Sequence, residues 1–154
     1  MSAPPLSASS STFEQIIVAT WYYIDVGDPS NVQQYFTADA KLYASRGEPI
    51  VGRHKIRDGY VARRARNPNR TSRHVISNVF VASTAADAIQ TVSCMRLYAG
   101  EGTPPFPSPE PLSVADQFDT FVRGVDGEWL IAERRLHLLF ANPEAVFHGP
   151  VVVN

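Results

Sequence analysis

At 154 residues the chain is long enough for one ordinary domain around a single core. A hydrophobic share of 44% against 19% charged residues excludes a disordered chain. With 14 basic and 15 acidic residues the formal charge is -1, so the basic surplus of a nucleic-acid binder is missing, and no apolar run approaches the roughly 20 residues of a membrane span.

Residues Met1 to Ser11 are rich in Ser, Pro and Ala. They lack the order of positive charge then apolar block that marks a secretory signal, and read as a flexible tail. Thr12 to Val26 is the first predicted helix. Phe13, Ile16, Ile17, Thr20, Tyr23 and Ile24 form one stripe, and Val18, Trp21 and Tyr22 a second. A helix apolar on most sides is buried on most sides. Asp25 shares the second stripe by i+3 and i+4 spacing, and a carboxylate there needs a partner. Gly27 ends the helix. Asp28-Pro29 reads as an N-cap and first helical proline of a short helix carrying Val32, Tyr35 and Phe36.

Ala38 to Ala44 reads as a strand, Arg46 to Pro49 as a turn, and Ile50-Val51 as a very short strand. Gly52 opens a helix running to about Arg66, with Ile56 and Tyr60 inward. Its basic run of Arg53, Lys55, Arg57, Arg63, Arg64 and Arg66 reads as a solvated outer face, with an anion-binding patch as the alternative. Asn67-Pro68 ends it.

Thr71 to Val81 reads as one long strand rich in β-branched and aromatic residues. Strict alternation puts His74, Ile76, Asn78 and Phe80 on one face and Arg73, Val75, Ser77, Val79 and Val81 on the other. A face mixing apolar groups with an imidazole and an amide suits the wall of a ligand cavity. Ala88 to Tyr98 returns as the next strand. Gly100 to Pro111 is a proline-rich loop whose Phe106 is a candidate lid. Leu112 to Val125 and Glu128 to Leu139 are two further strands, joined at Asp126-Gly127, a two-residue hairpin signal. Residues 140 to 154 form a C-terminal segment that either caps the cavity or contacts another subunit.

Early helices and a late hairpin-rich sheet give an α+β domain over residues 12 to 139. A single curved, mostly antiparallel sheet wrapped around the N-terminal helices makes a conical barrel with one open mouth. The lone Cys94 forms no internal disulfide and suits a reducing cytoplasm. No histidine pair has ligand-like spacing with a carboxylate, and no phosphate loop or nucleophile elbow is visible, so neither metal nor cofactor is expected.

The chain resembles the SnoaL-like branch of the nuclear transport factor 2-like (NTF2-like, cystatin-like) superfamily. The resemblance rests on Tyr23-Ile24-Asp25-Val26-Gly27-Asp28, the helix start Gly52 to Ile56, and Arg73-His74 followed by Ser77-Asn78-Val79. It also rests on Asp126-Gly127-Glu128-Trp129-Leu130-Ile131 leading to Arg134. It covers roughly residues 12 to 138 and implies a conical barrel with a deep apolar pocket. Relatives of that kind include dehydratases, ketosteroid-type isomerases, epoxide hydrolases, polyketide cyclases and a dehydrochlorinase, and also the non-catalytic small subunits of ring-hydroxylating dioxygenases. In the dehydratases and dehydrochlorinase an aspartate on the first helix and a histidine on the third strand form a dyad. These map onto Asp25 and His74. Several of those enzymes carry a tyrosine or lysine five residues before the aspartate, where this chain has Thr20.

The resulting expectation is an Asp–His acid/base pair, Asp25 holding one nitrogen of His74 and the other facing a pocket. Arg96, Arg134 and Tyr43 are candidates to stabilise developing negative charge. Asn78 is a candidate to bind a ligand oxygen, and Trp21, Tyr22, Phe80 and Phe118 are candidate pocket lining or plain core. His137 and His148 are placed near the mouth. The substrate class is a small hydrophobic molecule, such as a ring ketone, terpenoid, polyketide or aromatic, turned over by a cofactor-independent lyase or isomerase. The competing expectation is a non-catalytic ligand-binding module, or the small subunit of a dioxygenase-like assembly. The resemblance implies a homodimer or homotrimer paired through the outer sheet face, with no nucleic acid or membrane partner.

Overall fold

A computed structural model describes residues 10–107, 109–145 and 149–150. The first helix, α1 (Ser10–Asp25), starts two residues earlier than the sequence reading placed it. Phe13, Ile17, Trp21 and Ile24 form its buried stripe, at helical spacing. Gly27 follows its last turn. The α1 end is held from outside: Arg64 donates to the carbonyl oxygens of Ile24, at 2.7 Å, and of Gly27. A guanidinium on these terminal carbonyls satisfies the acceptors every helix leaves open. Asp28 accepts from the Ser30 amide at 2.9 Å and caps a 3-10 helix, Pro29–Tyr35.

The chain continues through β1 (Phe36–Tyr43), β2 (Ile50–Val51) and α2 (Arg53–Arg66). Then come β3 (Arg70–Thr84), β4 (Ala88–Glu101), β5 (Ser113–Arg123) and β6 (Trp129–Ala141). The strands form one six-stranded sheet in the order β2-β1-β6-β5-β4-β3, with β1 and β6 parallel and the other neighbours antiparallel. It curls around the helices without closing. The core lies between: Phe13, Ile17, Trp21 and Ile24 of α1 and Ile56 and Tyr60 of α2 pack on Phe36, Leu42, Ile89, Met95, Ala115, Phe121 and Ile131 of the sheet.

Bulges decide which side chains enter this core. On β3 the register advances from Ser77 opposite Cys94 to Phe80 opposite Val92, so one extra residue sits at Asn78-Val79. Asn78 takes φ 55, a left-handed conformation that asparagine tolerates better than most residues. One inserted residue exchanges the two faces of everything beyond it. His74 and Ile76 stay inward, Val79 and Val81 turn inward, and Phe80 is left 65% exposed on the outside. This corrects the simple alternation that put Asn78 and Phe80 beside His74. A second bulge, where Thr120 faces Glu133 but Phe121 faces Ile131, turns Arg134 inward.

The link between β5 and β6 spans residues 124–128 rather than two. Gly127 adopts φ +80, and the Glu128 carboxylate folds so close over Gly124 that a Cβ there would have to displace it. Phe106 packs on Gly100 at the end of β4, away from the central cavity, and so is no lid to it. His137 is exposed on the outer face. His148, most of the proposed tail and Val151–Val153 lie outside the described residues. No described helix is long and apolar enough to cross a membrane.

Candidate active site

Asp25 closes the last turn of α1 and reaches β3, which runs beside it. Its Oδ1 accepts from His74 Nδ1 at 2.8 Å and from Ser72 Oγ at 2.7 Å, and its Oδ2 accepts from the His74 backbone amide at 2.6 Å. An ionised carboxylate only accepts, so Nδ1 carries the imidazole proton and Nε2 keeps its lone pair. Both side chains are nearly solvent-free, at 4% and 6% exposure for Asp25 and His74. Burial alone would raise the Asp25 pKa, but the His74 ring and amide and the Ser72 hydroxyl hold it below its ordinary value. Burial lowers the His74 pKa against the pull of Asp25, and the charges of Arg63 and Arg134 lower it further. The pair therefore rests as carboxylate and neutral imidazole.

His74 is oriented from its face as well as its edge. The Trp21 ring stacks on it, centroids 3.9 Å apart and planes at 18°. Trp21 is itself fixed, its Nε1 donating to Gln117 Oε1 at 2.9 Å. Gln117 Nε2 donates to Asp119 Oδ2 at 2.7 Å, and Asp119 pairs with Arg134 through Nε at 2.6 Å and Nη2 at 3.2 Å. Arg134 Nη1 donates to Thr20 Oγ1 at 2.8 Å, and Thr20 donates on to the Ile17 carbonyl. The connected groups are buried and bonded to one another, which makes a rigid base for the stacked indole.

His74 and Trp21 together open on a cavity of about 100 Å³ lined also by Tyr60, Arg63, Ser45 and Ser113, with Met95, Leu97, Ala115, Leu136 and Leu138 as its apolar wall. Ala44, Gly149 and Pro150 complete the lining, so the C-terminal segment reaches the cavity. The space is below the ~150 Å³ of an engineered cavity that takes up benzene, so whatever meets the imidazole is compact.

The sequence candidates separate cleanly. Asp25, His74 and Trp21 come together at the cavity. Arg134 is inward but fully buried behind Trp21 and paired to Asp119, so it presents no free charge to the cavity. Arg96 and Phe118 are on the outer sheet face, because Thr91, Ser93, Met95 and Leu97 of β4 and Ala115, Gln117, Asp119 and Phe121 of β5 take the inner positions. Arg96 donates there to Ser77 Oγ. Tyr43 also points outward, under the Arg135 guanidinium at 3.6 Å from its ring centre. Tyr22 is 54% exposed on the outer side of α1, and Asn78 and Phe80 are displaced by the β3 bulge.

Arg63 reverses its expected place. It is 7% exposed and lines the cavity instead of facing solvent. Ile56, Tyr60 and Arg63 share one helical stripe by i+4 and i+7 spacing, the signal that places it inward. Neither its guanidinium nor the Tyr60 hydroxyl has a hydrogen-bonding partner among the described residues. Burial pushes the Tyr60 phenol up, so it stays a proton donor. Arg63 is lowered by its burial, partly offset by Tyr60 and Asp25. The cavity thus holds one basic nitrogen and two unpaired donors in apolar walls.

The family of SnoaL-like domains matches residues 12–135. ActVI-ORFA from Streptomyces coelicolor is a structural match at TM-score 0.74 and 18% identity, covering 86% of this chain and 96% of its own. A Novosphingobium aromaticivorans protein, provisionally assigned as a scytalone dehydratase, matches at TM-score 0.72 and 17% identity over 94% and 93% of the two chains. A Nostoc punctiforme protein of unknown function with a cystatin-like fold matches at TM-score 0.68 and 17% identity, over 94% and 97%. At such identities the structural matches establish the fold alone. No curated protein matches the chain.

Proposed function

The chain belongs to the SnoaL-like domain family, and on that premise we propose that it is a cofactor-independent lyase or isomerase that moves a proton on a small, largely apolar organic molecule. The observation that carries this reading is His74: its Nδ1 is committed to Asp25 while its other nitrogen belongs to a ring that walls the cavity. Nε2 takes a proton from a carbon acidified by a neighbouring carbonyl, and Asp25 stabilises the imidazolium that results. The electron pair left on the substrate moves onto its oxygen. Tyr60 and Arg63 supply the donors that meet this charge in a site with little competing water. Imidazolium then returns the proton, to a second carbon in an isomerisation or to a departing hydroxyl in a dehydration. Thr20, which donates to a main-chain carbonyl and accepts from Arg134, offers no acid, and Tyr60 takes that role.

Small ring ketones and simple aromatics suit the apolar wall, and a terpenoid or polyketide would present only its reacting end to a space this small. A panel of ring ketones in heavy water tests the first step without knowledge of the natural substrate. Wild-type protein should speed exchange of their α-protons, followed by NMR, and His74→Ala should be slower by about 10²–10⁴-fold. Exchange within a few-fold of wild type in a folded His74→Ala protein would remove the base from the account.

We also propose that two copies of the chain associate through the outer sheet face. Phe80, Val92 and Phe118 are neighbours across β3, β4 and β5 on that face, and Phe80 and Phe118 are 65% and 40% exposed. A contiguous apolar stripe across three strands favours a partner surface of the same kind.

A further inference from the structure

Tyr60 and Arg63 separate the cavity from a second recess of about 30 Å³, set where the last turn of α2 meets the start of β3. Three guanidinium groups line it, those of Arg63, Arg64 and Arg70. Arg64 is committed to the α1 carbonyls. Arg63 makes no side-chain hydrogen bond or ion pair among the described residues. The Arg70 side chain is 8% exposed, and its one hydrogen-bonding partner among the described residues is Glu101, through Nη1 at 3.3 Å. Its Nε and Nη2 are wholly buried and unpartnered. Buried donors without acceptors are costly, and charged ones most of all.

The Asp25 carboxylate also lines the recess, but its two oxygens already accept from Ser72 and twice from His74. Asp25 and the Glu101 that pairs with Arg70 leave one of the three positive charges unbalanced. A water fits the space, which exceeds the minimum that one water needs. It brings no charge, however, and adds two hydrogens of its own to a site already crowded with donors. An acceptor-only occupant with a single negative charge suits the surplus, and a monatomic one asks the least room of so small a recess.

We infer that the recess is a halide site, in which Arg63 and Arg70 hold one chloride-sized anion and Arg64 adds to the positive field. The anion sits on the side of Arg63 turned away from the cavity and fixes that guanidinium in place. The site does not depend on the chemistry proposed for His74.

Bromide is the probe, and no turnover is needed. Thermal unfolding of the full chain is followed against bromide at constant ionic strength, a bulky sulfonate balancing the charge. Tm should rise and saturate, by about 3–6 °C at tenfold over Kd, and the rise should vanish in Arg70→Met. A crystal grown with bromide should show an anomalous peak among Arg63, Arg64 and Arg70, and this arm with the wild-type titration decides the matter if Arg70→Met does not fold. A flat Tm, an equal rise in a folded Arg70→Met, or a water in the recess without anomalous signal would overturn the site. So would bromide bound at crystal concentration with no effect in solution.

Discussion

His74 combines two demands that usually conflict, basicity and burial. Burial depresses the imidazole below its ordinary value of 6.5, and Asp25 limits the depression without abolishing it. The cost is a pH-dependent fold. As pH falls through 6.5, the unfolded chain takes up the histidine proton before the native one does, so stability declines until the native value is reached. Asp25, also lowered, adds a second loss as pH falls below 3.8 towards its native value. Above 6.5 both contributions are fully present. Thermal unfolding across this range should show the first decline in wild type and not in His74→Ala. The proton-exchange rate should keep its neutral-pH level to below 6.5, because only imidazolium formation inside the fold removes the base. An acid limb centred above 6.5 would mean that Asp25 outweighs burial.

At the scale of elements, the buried chain from Arg134 through Asp119 and Gln117 to Trp21 ties β6 and β5 to the α1 face that carries the site. Asp119→Ala strands the Arg134 charge in the core, and urea unfolding should register a loss of about 3–5 kcal/mol. Adding Arg134→Met should return part of it, since the unpaired charge is then gone. If Asp119→Ala cost under about 1 kcal/mol, water would have to reach Arg134. The elements themselves were legible in the residues: apolar stripes marked α1 and α2, and β-branched runs marked β3 to β6. Asp25 and His74 were legible as a pair through the apolar stripe and the family resemblance together. What alternation could not read was phase. The bulges at Asn78 and near Ala132 shift the facing of Phe80 and Arg134 through cross-strand register, which no single strand encodes. Arg63 was misplaced for a different reason. A dense basic run reads as solvated, yet its i+3 and i+7 relation to Tyr60 and Ile56 puts it under the sheet.

The described fold is a half-open cup with the Asp25–His74 pair inside and an apolar stripe outside. In the proposed reading the two surfaces of β3 to β5 have separate duties. Charge on the outer one should therefore disturb assembly and spare the cavity. Phe80→Glu with Phe118→Glu should sediment as a monomer while wild type sediments as a dimer, and ketone exchange should stay within a few-fold. A monomeric wild type would contradict the pairing, and leave the cavity chemistry untouched.

The account turns on the protonation of one ring. Nitrogen-15 NMR of the four histidines, with His74→Ala supplying the assignment, reads it directly. At neutral pH the His74 ring should be uncharged, with hydrogen on Nδ1 and none on Nε2, and should stay so below 6.5. Hydrogen on Nε2, or an imidazolium persisting above that value, would contradict a base poised at the cavity.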